Sequence, residues 1–430
     1  MFLFFGFGGV VVIVQVSGDP DKYSPVRYRL GDRVEETYYS CEALRRFLGE
    51  EVLLLAPESL VSDLNDFRGR VERKGLTDFE LFLIPAVGEY DVNGVRRRFL
   101  TGFDDVAVAI FVRFVRKRPD SLVVDISTGH NVYVVAMVEA ARGYATYREL
   151  ENILQLSEGD GFSVEIASSP PIGKGVSEVG IELHPLSVRA FFLLPTADID
   201  KLLHEEADKE FRKLAGVIGR EYSGFKSDFR KLYDELRVAF NAVKYNVPLA
   251  FYTQEVLTLD LNVDEVERGV IEFLNKLLES TDDGFVRKRI PLSFRAVSNV
   301  FYAIALYRGF KNFKSELSEP SIEEIRRVFL QLYRKKSVGA AVNEYFLDNE
   351  LRMIEKLKEK IRGKMRLLYL YSAGCEAEGR LGGSSDAKRN FFAHSGLLKE
   401  CTEVEVKGGK IYLSWTKDRV GEIKKWLKEP

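Results

Sequence analysis

The chain has 430 residues, of which 46% are hydrophobic and 30% charged. That is apolar enough for packed cores in two or three domains and excludes a disordered or collagen-like chain. Lys and Arg total 63 against 65 Asp and Glu, a net charge of -2, so bulk positive charge cannot hold nucleic acid and any such site must be a local basic groove.

Three cysteines, Cys41, Cys375 and Cys401, show no CxxC spacing, which excludes a disulfide scaffold and gives no readable metal site. The balance fits a reducing compartment, so a cytoplasmic location is expected. A high charged fraction with few Cys, Met and His is associated with thermophiles. The apolar opening Met1 to Val16 has no charged residue before Asp19, carries Gly6, Gly8 and Gly9, and is shorter than the roughly 20 residues a membrane helix needs. It is expected to end in a strand, and no membrane association is expected.

The first ~150 residues alternate between apolar runs and helical spacing. Strands are expected at Val10–Val16, Glu51–Ala56, Phe79–Pro85 and Ser121–Asp125, and helices at Ser40–Leu48, Glu58–Lys74, Phe103–Arg116 and Asn131–Arg142. That alternation predicts a parallel sheet with helices on both faces. Phe162–Ala167, Val179–Leu183 and Val188–Leu194 suggest an antiparallel extension or an insertion. From Asp198 the chain reads as mostly helical. Asn262-Val263-Asp264-Glu265 and Ser321-Ile322-Glu323-Glu324 are capping boxes. Asn343–Tyr371 has the spacing of one long helix. Thr402–Lys407, Gly408-Gly409 and Lys410–Trp415 predict a hairpin with a primed turn, followed by a helix over Asp418–Leu427.

Open parallel sheets bind ligands at the carboxyl ends of their strands. Gly18-Asp19-Pro20 follows the first strand, and Ser127-Thr128-Gly129-His130-Asn131 follows the strand ending at Asp125 and opens a helix. Small hydroxyls, an amide and free N–H groups at a helix N-terminus suit an anionic ligand. They also suit a plain strand–helix turn with Ser or Thr as cap. Neither the dinucleotide fingerprint nor a Walker loop is present: after Gly6 and Gly8 the third glycine position is Val11.

In the helical half, Arg389-Asn390-Phe391-Phe392-Ala393-His394 places Arg five residues before His. On a helix these lie roughly 140° apart, so a surface Arg with a packing His is one reading. A two-fold dimer joining two such segments is the other. His184 and His204 read as surface or structural residues, whereas His130 sits in the candidate ligand turn. Arg96-Arg97-Arg98 and Arg116-Lys117-Arg118 read as solvated faces. Arg326-Arg327 and Arg334-Lys335-Lys336 are candidates to line an RNA path.

Together these features resemble the CRISPR-associated CARF–HEPN ribonucleases of type III systems. Gly18-Asp19-Pro20 with Tyr23 and Tyr28 is similar to the family's opening, and Pro85-Ala86-Val87-Gly88-Glu89-Tyr90 to its glycine-containing loop. Asp125 to Asn131 resembles the signature Asp-x-Thr-His-Gly-x-Asn, with Ser127-Thr128 in place of Thr-His and the histidine at His130. Arg389 to Gly396 resembles the Arg-x4-His nuclease signature, including Asn390. The resemblance implies a Rossmann-like CARF domain over 1–195 with a β insertion at about 161–195. A helical linker over 196–285 and a mostly α-helical HEPN domain over 286–430 with a terminal β-hairpin would follow.

The implied activity is a metal-independent endoribonuclease in antiviral defence, acting as a homodimer or an oligomer of dimers on single-stranded RNA. A cyclic oligoadenylate, by overall resemblance cyclic tetra-adenylate, would be the activator, and no cofactor is implied. Gly18, Asp19, Ser127, Thr128, Gly129, His130 and Asn131 would bind it, and Arg389, Asn390 and His394 would be catalytic. The residues suit that chemistry: histidine exchanges protons near neutrality, and arginine stabilises a phosphorane. A ligand-sensing transcriptional regulator or partner-binding module without nuclease activity is the alternative. A Rossmann-like small-molecule enzyme comes third, weakened by the missing fingerprint.

Overall fold

The structure, a computed structural model, describes residues 10–92, 94–157, 161–170, 176–282, 284–372 and 387–430. The opening glycines and Cys375 lie outside them. The N-terminal half carries β1 (Val11–Val16), β2 (Val26–Leu30), β3 (Arg33–Thr37), α1 (Ser40–Leu48), β4 (Glu51–Pro57), α2 (Leu64–Arg73), β5 (Glu80–Ile84), β6 (Gly88–Val92), β7 (Val95–Leu100), α3 (Phe103–Lys117), β8 (Ser121–Asp125), α4 (Asn131–Asn152), β9 (Ser163–Ser168), β10 (Glu178–Gly180) and β11 (Glu182–Pro185). The main sheet has the order β11-β9-β8-β1-β4-β5. Its first five strands in chain order, β1, β4, β5, β8 and β9, pair in parallel, and β11 is antiparallel at the edge.

Alternation along β1 splits the core. Val12, Val14 and Val16 face α3 and α4, while Ile13 faces α1, α2 and β2. The expected helix over Glu58–Lys74 is instead a 3-10 turn, Glu58–Leu60, then α2. Asp63 restarts the chain by capping the Asp66 N–H at 2.8 Å. The expected antiparallel extension is corrected at β9, which crosses over by α4 and joins β8 in parallel. Val188–Leu194 forms no strand; it is pinned by Phe192, which stacks on Phe240 at 4.8 Å.

The rest comprises α5 (Lys209–Glu221), α6 (Ser223–Lys244), α7 (Val263–Leu277), β12 (Thr281–Asp282), β13 (Val286–Lys288) and α8 (Phe294–Ser315). Next come α9 (Ile322–Ile325), a π-helical stretch at Arg326–Leu330, α10 (Gln331–Arg334) and α11 (Ala341–Glu355). The chain ends with β14 (Met365–Arg366), α12 (Leu367–Ser372), α13 (Ala387–Ala393), β15 (Thr402–Lys407), β16 (Lys410–Trp415) and α14 (Val420–Lys428). Asn262 and Ser321 cap α7 and α9 through the Glu265 and Glu324 N–H groups. Gly408 and Gly409 both have positive φ, as a type I′ turn requires. The long helix expected over Asn343–Tyr371 stops at Glu355, because Met365–Arg366 pairs with Glu403–Val404 and draws the backbone into a sheet.

The two halves are not beads on a string. β13 adds in parallel to β7, closing the sheet β12-β13-β7-β6. One apolar cluster runs from Val12 through α4 and α8 to Leu427. At the α4–α8 crossing, a Cβ on Gly309 would lie 2.9 Å from the Glu151 carbonyl oxygen. Residues 196–285, expected as a linker, contribute Leu236, Phe240, Val270 and Leu274 to that core.

Candidate functional sites

The chain leaves β1 on one side of the sheet, for β4 and β5, and returns on the other at β8. The carboxyl ends of β1 and β8 therefore flank the topological switch point. Asp125, wholly buried at the end of β8, organises the turn beyond it. Its carboxylate accepts from Gln15 Nε2 at 2.8 Å, Ser40 Oγ at 2.6 Å and the Ser127 N–H at 2.9 Å. Burial raises its pKa, and the Ser40 and Ser127 hydrogen bonds oppose that.

Thr128 Oγ1 donates to the Val16 carbonyl at 3.3 Å, laying the turn across the end of β1. Gly129 has φ +105°, and a Cβ there would stand 3.0 Å from Val16 Cβ, so both conformation and space demand glycine. His130 is the exposed N-cap residue of α4, and exposed Asn131 begins that helix.

Across the cleft, the Gly18 N–H donates to the Tyr23 hydroxyl at 2.7 Å. The Asp19 carboxylate pairs with Arg70 at 3.4 Å and caps Asp21. The structure thus gathers Gly18, Asp19 and Ser127 to Asn131 at one end of the sheet, with Arg70 shared among Asp19, Asp21 and Asp66. Sequence reasoning missed Tyr133, whose hydroxyl accepts the Val87 N–H at 2.9 Å and meets the Tyr90 hydroxyl at 3.1 Å. That cluster ties the Pro85–Tyr90 loop to the first turn of α4.

The second site is built on α13. Phe391 is buried against Trp426, ring centroids 5.2 Å apart, and Phe392 lies 5.2 Å from Tyr245. Anchoring those two aromatics leaves Arg389 and Asn390 exposed. Among the described residues, Arg389 has no hydrogen-bond or ion-pair partner. His394 follows the helix end, and its N–H donates to the Asn390 carbonyl at 3.1 Å.

A clamped left-handed turn comes next. Ser395 Oγ accepts from Asn246 Nδ2 at 2.8 Å, and the Gly396 carbonyl accepts from Trp415 Nε1 at 2.8 Å. Gly396 has φ +73°, and a Cβ would fall 2.6 Å from Val247 Cγ1. Gly396→Ala should therefore cost about 2–4 kcal/mol, from backbone strain plus overpacking. Urea unfolding of the variant checks this; an unchanged midpoint would mean that the turn relaxes freely.

His394 Nδ1 lies 3.1 Å from Glu350 Oε1 on α11. A carboxylate only accepts, so Nδ1 carries the proton in this contact and Nε2 keeps its lone pair in the neutral ring. Glu350 precedes Arg389 by 39 residues and sits on the flank of a helix that buries Leu347, Leu351 and Ile354; no motif marks it. Beside it, burial and then the Glu350 charge raise the Tyr371 pKa. Lys399 Nζ stands 3.9 Å from the Tyr371 ring centre. The outer face of α11 carries a stripe of exposed apolar residues, Val342, Tyr345, Phe346 and Met353, interrupted by exposed Asn349, with Tyr345 exposed at 72%.

The basic clusters divide differently from expectation. Arg96 and Arg98 pair with Glu89 on an exposed hairpin. Arg118, expected on a solvated face, joins Glu151 and Glu267, both buried. Arg326 forks onto Glu355 and Asp348, Arg327 onto Glu324, and Arg334 onto Glu344. Those guanidiniums are already committed to carboxylates. Cavities of about 680 and 900 Å³ flank Asp104 and His204, but their polar groups are engaged locally: Asp104 accepts the Phe294 N–H, and Lys226 pairs with Asp200.

Among the described residues no cluster of His, Cys, Asp and Glu could hold a metal ion, and no helix is long and apolar enough to cross a membrane. Two family models match the chain. The CARF domain of the CRISPR system endoribonuclease Csx1 covers residues 12–170, and its HEPN domain covers 340–417. No curated protein matches. The first match spans the switch-point cleft and the second the Arg389–His394 turn with Glu350, so the chain belongs to the CRISPR-associated CARF–HEPN ribonucleases, with a ligand-sensing domain and a nuclease domain in one polypeptide.

Proposed function

We propose that this protein is a metal-independent, single-strand-specific endoribonuclease of type III CRISPR antiviral defence, switched on by a cyclic oligoadenylate. The observation that carries the reading is a histidine whose Nδ1 faces Glu350, leaving the Nε2 lone pair available, five residues from Arg389, which has no partner among the described residues. RNA supplies its own nucleophile. His394 Nε2 takes the proton of the 2′-OH as O2′ bonds to phosphorus. The P–O5′ bond breaks, and a proton returns to O5′. The products are a 2′,3′-cyclic phosphate (or its opened form) and a 5′-OH. Arg389 stabilises the equatorial oxygens of the phosphorane, and Asn390 orients the 2′-OH or a phosphate oxygen.

In this reading the protein works as a homodimer. A second copy over α11 covers the Val342, Tyr345, Phe346 and Met353 stripe and joins two Arg389–His394 turns into one composite site. Cyclic tetra-adenylate, the activator we favour, lies across the switch-point clefts, its phosphates at Thr128, Gly129 and the α4 N-terminus, with Gly18, Asp19, Ser127, His130 and Asn131 around its riboses and bases. It activates by binding the cleaving arrangement more tightly than the idle one.

A dose–response of RNA cleavage against cyclic tetra-adenylate tests the link. Thr128→Ala combined with Asn131→Ala should raise the half-activating concentration at least about tenfold, the loss of roughly 1.4 kcal/mol or more of binding. A wild-type dose–response from that variant would remove the cleft from the account.

A further inference from the structure

Between the helix that carries Glu350 and the strand that docks on β15 lies a strongly basic segment. In Lys356-Leu357-Lys358-Glu359-Lys360-Ile361-Arg362-Gly363-Lys364-Met365-Arg366, every second residue is basic and Glu359 is the single acid. Six cations less one anion give +5 over eleven residues, in a chain whose total is -2. Lys356, Lys358, Lys360, Arg362 and Lys364 are exposed. Lys364 pairs with Glu403 at 2.8 Å and Arg366 with Asp418 at 3.4 Å. Among the described residues, the side chains of Lys356, Lys358 and Lys360 pair with nothing, and Arg362 reaches only the Ile361 carbonyl, at 3.5 Å.

The segment is anchored rather than loose. The Lys356 N–H closes the last turn of α11 on the Arg352 carbonyl at 3.2 Å. Ile361 is buried, and Met365–Arg366 pairs with β15. The two ends of the segment lead back to the nuclease turn. From Glu350, which holds His394, to Lys356 is six helical residues, about 9 Å of rise. Beyond β14, the Leu368 N–H donates to the carbonyl of Lys399, five residues past His394. A row of ammonium groups without partners among the described residues, on a segment tied to the candidate nuclease turn, complements a polyanion.

We propose that Lys356 to Arg366 forms a phosphate track that holds single-stranded RNA against the Arg389–His394 site. Lys356, Lys358, Lys360 and Arg362 contact the backbone without reading bases. The proposal rests on the endoribonuclease reading and adds where its substrate runs.

The test is binding of a fluorescent single-stranded RNA to the full-length His394→Ala protein across a salt series. Each phosphate contact on a single strand contributes about 0.7 to the slope of log affinity against log salt. Replacing Lys356, Lys358 and Lys360 together by Ala should flatten that slope by about 2. The same three positions changed to Arg should restore it, and Glu359→Lys should steepen it. All three side chains are exposed and have no partner among the described residues, so the Ala variant should melt with its parent. RNA binding whose slope the Ala variant leaves unmoved would overturn the track alone. An unmutated protein that neither binds nor cuts RNA at any salt, with or without cyclic tetra-adenylate, would instead overturn the ribonuclease reading.

Discussion

His394→Ala should lower RNA cleavage by at least about 10²–10⁴-fold, the usual worth of a positioned acid–base group, while cyclic tetra-adenylate binding stays at the wild-type level. The separation follows from geometry: the His394 ring touches Glu350 on α11, and the switch-point turn at Ser127 to Asn131 belongs to the N-terminal sheet. Arg389→Ala should be comparably inactive. Arg389→Lys should recover little, because an ammonium lacks the planar fork that meets two phosphate oxygens together. Glu350→Ala should cost less, about 10–100-fold, as is typical when the group that orients a histidine ring is lost. Its imidazole ¹⁵N shifts should report loss of the Nδ1–H tautomer. Wild-type cleavage by His394→Ala would remove the proton-transfer role from this residue.

Arg308→Ala should be the most damaging single change to the fold. Arg308 on α8 is largely buried and meets four groups. Its guanidinium pairs with Glu151, with Glu267 at 3.2 Å and with Asp264 at 2.8 Å, and it donates to the Tyr147 hydroxyl at 2.6 Å. Burial works against the charge, but Tyr147, Glu267 and Glu151 outweigh it and raise the Arg308 pKa. Only 7% and 9% of the Glu151 and Glu267 side chains are exposed. Truncation leaves Glu151 with Arg118 and Arg148, and Glu267 with Arg118 alone among the guanidiniums.

Breaking one partner out of a buried ionic cluster costs about 3–5 kcal/mol. At roughly 2–4 °C per kcal/mol for a chain of a few hundred residues, the midpoint should fall by about 6–20 °C in thermal unfolding. A loss below about 1 kcal/mol, the range of an exposed ion pair, would show that water already screens the cluster. The cluster joins α4 of the sensing half to α7 and α8, so this seam also holds the two halves in register.

What was legible in the sequence was local. Short apolar runs, β-branched in β1, marked β1, β4 and β8, and Asn262 and Ser321 announced their helices through side-chain caps. The Gly408-Gly409 pair announced its hairpin. Two hairpins went unread: β2–β3, although Val26-Arg27-Tyr28-Arg29-Leu30 alternates buried and exposed residues, and β6–β7, whose outer partner β13 arrives from nearly two hundred residues later.

The helix drawn through Tyr371 failed because a pairing with β15 outcompeted good helical spacing, a contact that periodicity does not contain. Arg118 looked solvated for the same reason: its acids, Glu151 and Glu267, lie far along the chain. The residues of both candidate sites could be named in advance because strand ends and short signatures carry them. Glu350, Tyr133 and the clamp on Gly396 could not, since each acts across a tertiary contact.

In the proposed reading one polypeptide senses a cyclic oligoadenylate and cuts RNA without a metal. The most direct test is cleavage of a labelled single-stranded RNA by the purified protein in EDTA, with and without cyclic tetra-adenylate. Strong stimulation is expected, with products ending in a 2′,3′-cyclic phosphate (or its opened form) and a 5′-OH. Activity only with a hexa-adenylate ring would correct the activator and keep the mechanism. Silence with every ring, or cleavage that appears only when a divalent metal is restored, would contradict it.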